Sequence, residues 1–139
     1  EYLLAFDEVV LPILDRYEPQ LLIVSAGFDG HGNDPLASMV LDGATYAAMT
    51  RRLVAVADRY ADGRIVHLLE GGYDLAGLAD GFGAVLGALV DATPVAGGAA
   101  SGAHDAMVAD EDGHVAGSAR RAIDETRRAL ARWWNLDEQ

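Results

Sequence analysis

The segment from Leu21 to Leu36, which reads LLIVSAGFDGHGNDPL, constrains the fold of this chain more than any other. It begins with a short apolar run that is rich in β-branched residues and continues into polar, glycine-rich sequence. This pattern is typical of a buried strand that delivers a loop at its carboxyl end. In open α/β sheets ligands collect at that edge. Asp29 lies in the loop, on chain that neighbouring glycines leave free to turn.

A second segment repeats this arrangement, because the apolar run 65–69 leads directly into Glu70-Gly71-Gly72-Tyr73-Asp74. If the two strands are parallel neighbours, Asp29 and Tyr73 emerge at the same edge of the sheet. A carboxylate and a phenol that meet there suggest a metal ligand and a hydrogen-bond donor to an oxyanion.

Helical patterns alternate with these strands. One covers residues 1–17 and contains Pro12, at which the helix either kinks or starts anew. A second follows Asp42, a plausible N-cap, and stops at Gly63. A third is predicted over 75–90. The alternation favours an α/β fold with a parallel sheet, but two strands are few for a stable sheet, which points to missing chain.

The chain of 139 residues is long enough for one compact domain. We expect residues 1–92 to form an α/β core, 93–117 a Gly/Ala-rich surface loop, and 118–139 a terminal helix. This helix is expected to bury Ile123, Leu130 and one of the two tryptophans. The interrupted run of arginines on its other face, which we expect to be solvated, comprises Arg120, Arg121, Arg127 and Arg128.

Composition excludes several classes of protein. The hydrophobic fraction of 51% argues against global disorder, and the absence of cysteine excludes disulfides, thiolate zinc sites and a cysteine nucleophile. The formal net charge of -12 disfavours nucleic acid and anionic membranes as partners. The longest apolar stretch is too short to span a membrane and no signal peptide is recognised, so we expect a cytoplasmic protein.

The two motifs SAGFDGHGNDPL and LLEGGYDL resemble the carboxyl-terminal half of the zinc-dependent histone deacetylase and acetylpolyamine amidohydrolase family, in the style of its bacterial class II-like members. The resemblance covers roughly Tyr2 to Val90 and, more weakly, the terminal helix. It implies that the chain forms part of a parallel-sheet, arginase/deacetylase-like three-layer fold.

The resemblance implies a role for five residues. Asp29 matches the second aspartate ligand of the catalytic zinc, for which ferrous iron is the alternative metal. Tyr73 matches the tyrosine that hydrogen-bonds the substrate carbonyl. Leu36 matches a residue that lines the acyl-lysine channel, and Gly71 and Gly72 match the glycines beside the tyrosine. The implied substrate is an acetylated lysine side chain or an acetylpolyamine.

The chain also departs from the family pattern. The family's other two zinc ligands form an Asp-x-His pair and its acid–base groups form a His-His pair, both upstream of the matched region. The four histidines of this chain, at positions 31, 67, 104 and 114, stand in neither arrangement. The resemblance therefore implies a fragment that lacks the amino-terminal part of its domain and is inactive alone.

Four other polar residues have structural interpretations. His31 is interpreted either as a surface-loop histidine or as one that supports a ligand without binding the metal itself. His67 is interpreted as a core histidine with satisfied hydrogen bonds. Asp34, which precedes Pro35, is interpreted as a turn residue, and Glu70 as a group that caps backbone at the strand end.

Two other functions compete with the amidohydrolase. One is a non-catalytic nucleotide-binding module in which Gly27, Gly30 and Gly32 cradle phosphate, although that fingerprint requires the glycines to lead straight into a helix. The other is an interaction module that pairs with a separate amino-terminal chain.

Overall fold

The computed structural model describes residues 1–92, 117–134 and 136. The expected loop at 93–117 lies outside these residues, except for Gly117, the first residue of a helix. In chain order the elements are α1 (Tyr2–Ala5), a π-helical turn (Phe6–Val10), α2 (Leu11–Tyr17), β1 (Leu22–Ala26), α3 (Gly43–Tyr60), β2 (Ile65–Leu69), α4 (Leu75–Ala92) and α5 (Gly117–Leu130).

The two strands pair in parallel, with Leu22 opposite Ile65 and Ala26 opposite Leu69. The helix α3 forms the crossover between them. The predicted α/β architecture with a parallel sheet is therefore confirmed, and both strands end at the same edge.

The amino-terminal helical segment accommodates Pro12 through its π-helical turn. The Leu11 amide donates to the Phe6 carbonyl oxygen five residues back, instead of four. Pro12 then lies in the first turn of α2, directly after the π-helical turn. The junction residues Ala5, Phe6, Val10 and Leu11 all keep right-handed helical angles. The helical segment is therefore continuous, and the π-helical turn accommodates Pro12 without a break.

The ends of α3 follow the predicted signals. The Asp42 carboxylate accepts hydrogen bonds from the Thr45 amide at 2.8 Å and the Thr45 hydroxyl at 2.7 Å, so the N-cap is confirmed. After the helix ends, Asp62 and Gly63 both adopt positive φ angles, 48° and 73°. This left-handed pair turns the chain towards β2.

The core consists of two hydrophobic clusters on one side of the sheet. The first joins β1 to α3 through Leu22, Val56, Ala57 and Ala61. The second joins the loop after β1 to α3 and α4 through Phe28, Tyr46 and Val85. Together the clusters fix both helices and the loop that carries Asp29.

The opposite face of the sheet is exposed within the described residues. Ile23 is 62% exposed, and Val66 and Leu68 are 45% and 51% exposed. The prediction of a buried strand is therefore correct for one face of β1 only, because the described helices pack on the other face.

Helix α5 exposes Arg120, Arg121 and Arg128 as predicted, whereas Arg127 is half-buried. Arg120 binds the Glu8 carboxylate at 2.5 Å and Arg127 binds it at 3.3 Å. These ion pairs hold α5 against the π-helical turn, while Ile123 is buried as predicted. The sequence did not indicate these ion pairs, because their acidic partner lies more than a hundred residues away in the chain.

Among the described residues, no helix is both long enough and apolar enough to cross a membrane.

Two glycines of α4 differ in what an added methyl group would meet. A Cβ at Gly81 would lie 2.5 Å from Phe28 Cδ1, whereas nothing lies within 4 Å of one at Gly83. We expect Gly81→Ala to lower the free energy of unfolding by about 1–3 kcal/mol, because overpacking forces Phe28 or the backbone to move. Gly83→Ala should raise it by about 0.5–1 kcal/mol through helix propensity. Urea denaturation measures both changes, and shifts of equal sign would contradict this packing.

Candidate active site at the carboxyl edge of the sheet

The loops that follow β1 and β2 continue side by side beyond the strands. The Glu70 amide donates to the Ala26 carbonyl oxygen at 3.1 Å, and the Phe28 amide donates to the Gly71 carbonyl oxygen at 2.9 Å. The segments that carry Asp29 and Tyr73 therefore leave the same edge of the sheet next to each other, as the parallel pairing requires.

The Asp29 carboxylate occupies space that two glycines leave open. A Cβ on Gly27 would lie 2.8 Å from Asp29 Oδ1, and a Cβ on Gly71 would lie 2.7 Å from the same atom. Because neither distance is tolerated by a real side chain, a larger residue at either position would displace the carboxylate. One glycine comes from each strand end, so both loops leave room for the Asp29 carboxylate.

The second loop places Tyr73 at the surface of this edge. Gly72 has a φ of 132°, and a Cβ there would lie 3.1 Å from Leu78 Cδ1 and 3.2 Å from Phe28 Cβ. Both the backbone conformation and the close packing therefore require glycine. The side chains of Tyr73 and Leu36 are 63% and 69% exposed, so both are accessible to a ligand.

Asp34 connects the two loops. Its Oδ1 accepts the Leu36 amide at 2.9 Å, and its Oδ2 accepts the Tyr73 amide at 2.7 Å and the Asp74 amide at 3.2 Å. Desolvation raises the pKa of this carboxyl, but the amides of Tyr73, Leu36 and Asp74 outweigh it, so the pKa lies below its ordinary value. The sequence predicted the turn at Asp34 and missed the two distant hydrogen bonds.

His31 is engaged through both nitrogens of its ring. Nδ1 accepts the Asn33 amide at 3.1 Å, which assigns the proton to Nε2, and Nε2 donates to Asp80 Oδ2 at 3.2 Å. The same carboxylate oxygen accepts the Gly43 amide at 2.7 Å. His31 is only 8% exposed, so the interpretation as a surface-loop histidine is wrong. It anchors the Asp29 loop to α3 and α4 and has no free nitrogen for a metal beside Asp29.

A cavity of about 300 Å³ lies beneath the loop, and its lining includes Asp29, Tyr46 and His67. Tyr46 Oη and His67 Nδ1 are buried in it without a hydrogen-bond partner among the described residues. The expectation of a histidine with satisfied hydrogen bonds at position 67 is therefore wrong for this ring nitrogen. Burial, and then the nearby Asp29 carboxylate, raise the pKa of Tyr46 to about 12. Burial lowers the pKa of His67.

Within the described residues, no three His, Asp or Glu side chains come together in a group that could hold a metal ion. Asp29 offers one carboxylate oxygen of the kind that zinc accepts. The donor set of the described residues is therefore compatible with one ligand of a zinc site and is not a complete site.

Solved structures establish the class of the fold. The histone deacetylase Clr3 matches 99% of this chain with a TM-score of 0.77 at 28% sequence identity, over 20% of its own length. Together with the parallel sheet, this match defines an α/β protein of the arginase/deacetylase type, as predicted.

The family follows from the sequence match. The model of the histone deacetylase domain matches residues 1–89, and the chain belongs to the histone deacetylase family. A probable deacetylase of Archaeoglobus fulgidus is 43% identical over 76 residues, which are 55% of this chain and 21% of that protein. The histone deacetylase-like amidohydrolase of Pseudomonas aeruginosa is 45% identical over 75 residues, which are 54% and 20%. The chain thus spans about a fifth of the length of these relatives.

Proposed function

We propose that this chain is the carboxyl-terminal part of a zinc-dependent amidohydrolase that removes acetyl groups from lysine side chains or polyamines. The observation that carries the proposal is the arrival of Asp29 and Tyr73 at one sheet edge, on loops joined by backbone hydrogen bonds. The relatives from A. fulgidus and P. aeruginosa are a probable deacetylase and a histone deacetylase-like amidohydrolase, which supports hydrolysis of an amide.

Asp29 is the proposed metal ligand of this chain. Its carboxylate lies beside Gly27 and Gly71, whose missing side chains leave space for its oxygens to meet a cation. When bound by three protein ligands, zinc lowers the pKa of a bound water and polarises a carbonyl group. We propose that the other two ligands and the histidine acid–base pair come from the amino-terminal part of the same domain.

Tyr73 is the proposed donor to the substrate. Its exposed phenol would donate a hydrogen bond to the amide oxygen and strengthen that bond as negative charge develops there. Leu36 is exposed on the neighbouring loop and would line the channel for the acyl-lysine chain. Gly71 and Gly72 carry no side chain and so let the substrate approach the backbone.

The exposed face of the sheet supports the fragment proposal. Ile23, Val66 and Leu68 expose apolar surface there, and burying such surface is favourable by about 25 cal/mol per Å². We propose that the amino-terminal part covers this face and that the chain alone does not hydrolyse amides.

The first test is the DNA sequence upstream of the codon for Glu1. We expect the reading frame to continue and to encode an Asp-x-His and a His-His pair, because the described residues supply only one of the ligands. A frame without these pairs would contradict catalysis and favour an interaction module.

The second test is Tyr73→Phe in the protein encoded by the full reading frame. Removing one donor to an oxyanion should lower kcat for an acetyl-lysine peptide by about 10²–10³-fold. Zinc content, measured by elemental analysis, should not change. Tyr17→Phe, which removes the hydroxyl of another exposed tyrosine, is the control and should retain full activity. An unchanged kcat in Tyr73→Phe would remove Tyr73 from the mechanism.

The third test is Asp29→Ala in the same protein. Loss of a carboxylate ligand should abolish stoichiometric zinc binding, so elemental analysis should find the purified variant depleted of zinc and inactive. Asp91→Ala, at an exposed acid near the end of α4, should keep its zinc. Full zinc retention in Asp29→Ala would discredit the ligand assignment.

A further inference from the structure

Asp34 is a buried carboxylate with a function beyond the local turn. It is 7% exposed, although it lies in the polar loop between β1 and α3. Its hydrogen bond to the Leu36 amide is the turn that the sequence predicted. The amides of Tyr73 and Asp74, by contrast, are 39 and 40 residues away in the chain. A turn alone does not require these two contacts.

The segment that Asp34 contacts, Tyr73-Asp74, determines the position of the Tyr73 backbone. Tyr73 follows two glycines, which give the backbone little intrinsic stiffness, and its phenol makes no hydrogen bond to the described residues. The position of its side chain therefore depends on the position of its backbone. The 2.7 Å hydrogen bond from its amide to Asp34 holds that backbone directly.

The adjacent residue extends the anchor into α4. The Asp74 carboxylate accepts the Gly77 amide at 2.6 Å and caps the first turn of the helix, while the Asp74 amide donates to Asp34. Tyr73 thus lies between the end of β2 and the capped first turn of α4. Its amide is bound by Asp34, which belongs to the neighbouring loop after β1. The other oxygen of Asp34 holds the Leu36 amide, so one carboxylate couples the backbones of Leu36 and Tyr73.

We propose that Asp34 is a positioning residue that sets the place of the Tyr73 phenol relative to the Leu36 side of the site. The expected effect of Asp34 on catalysis rests on the function proposed above for Tyr73. The hydrogen bonds by which Asp34 holds the backbone, which are the geometric part of the proposal, do not depend on that function. An ionised carboxylate suits this task because it accepts amides at both oxygens. An asparagine in its place has one accepting oxygen and would present an NH₂ group to one of the two loops.

The catalytic part is tested by a double-mutant cycle in the protein encoded by the full reading frame. We expect Asp34→Asn to lower kcat by about 10-fold to 100-fold with KM and zinc content unchanged, because a misplaced group loses much of its effect. In the Tyr73→Phe background the same substitution should change kcat by less than about 3-fold, since the phenol through which Asp34 acts is absent. Asp42→Asn, an isosteric change at an exposed capping carboxylate, should have no effect in either background.

The outcomes separate the two proposals. If Asp34→Asn lowers kcat by the same factor in both backgrounds, Asp34 does not act through Tyr73 and the positioning role is overturned. If Tyr73→Phe alone leaves kcat unchanged, the proposed function of Tyr73 fails instead.

The geometric part needs no variant, so a failure of Asp34→Asn to fold does not prevent a test. In the ¹⁵N,¹³C-labelled protein encoded by the full reading frame, the amide protons of Tyr73 and Asp74 should shift together on acidification, with the same midpoint as the side-chain carboxyl carbon of Asp34. That midpoint should lie below about 3.9, the ordinary value for aspartate. Amides that follow any other midpoint would overturn the contact.

Discussion

The parallel pairing of β1 with β2 is the constraint on which the rest of the structure depends. Because Leu22 faces Ile65 and Ala26 faces Leu69, the two strands end level with each other. The hydrogen bond from the Phe28 amide to the Gly71 carbonyl oxygen carries this register one step beyond the sheet. Opposite directions would send the two loops to opposite edges, and no loop conformation could then bring them together.

Helix α4 holds the same loops from the side. A Cβ at Gly77 would lie 2.6 Å from the His31 ring, and one at Gly81 would lie 2.5 Å from the Phe28 ring. Both rings therefore pack against the backbone of α4 at positions where the helix has no side chain. Phe28 is 1% exposed, and His31 binds Asp80 on the same helix. Phe28 and His31 bracket Asp29 in the sequence, so their packing restricts the chain on both sides of the proposed ligand.

Local patterns in the sequence predicted the features that depend on residues close together in the chain, namely the strands, the helices and their ends. The length and composition of apolar runs identified the two strands, and their alternation with helices indicated that the strands are parallel. Because Asp29 and Tyr73 follow the ends of these strands, both were predicted at one edge of the sheet. Contacts between distant segments were not predictable in the same way. Nothing near Asp34 indicates its hydrogen bond to Tyr73, and nothing near Arg120 indicates Glu8, since both pairings arise only when the elements pack. The roles proposed for Asp29 and Tyr73 rest on the family resemblance rather than on periodicity.

The two proposed functional groups are held in different ways, and the difference fits their tasks. The Asp29 carboxylate lies against the backbone at Gly27 and Gly71, in space that a side chain at either position would fill, which suits a ligand that needs room to meet a metal. The Tyr73 phenol is exposed and fixed only through its backbone, by the amide that Asp34 accepts. A donor that must follow an oxygen as its charge develops benefits from a free side chain on a fixed main chain. The carboxyl edge of the sheet thus combines a carboxylate that lies against backbone, at Asp29, with a phenol that is held through its main chain, at Tyr73.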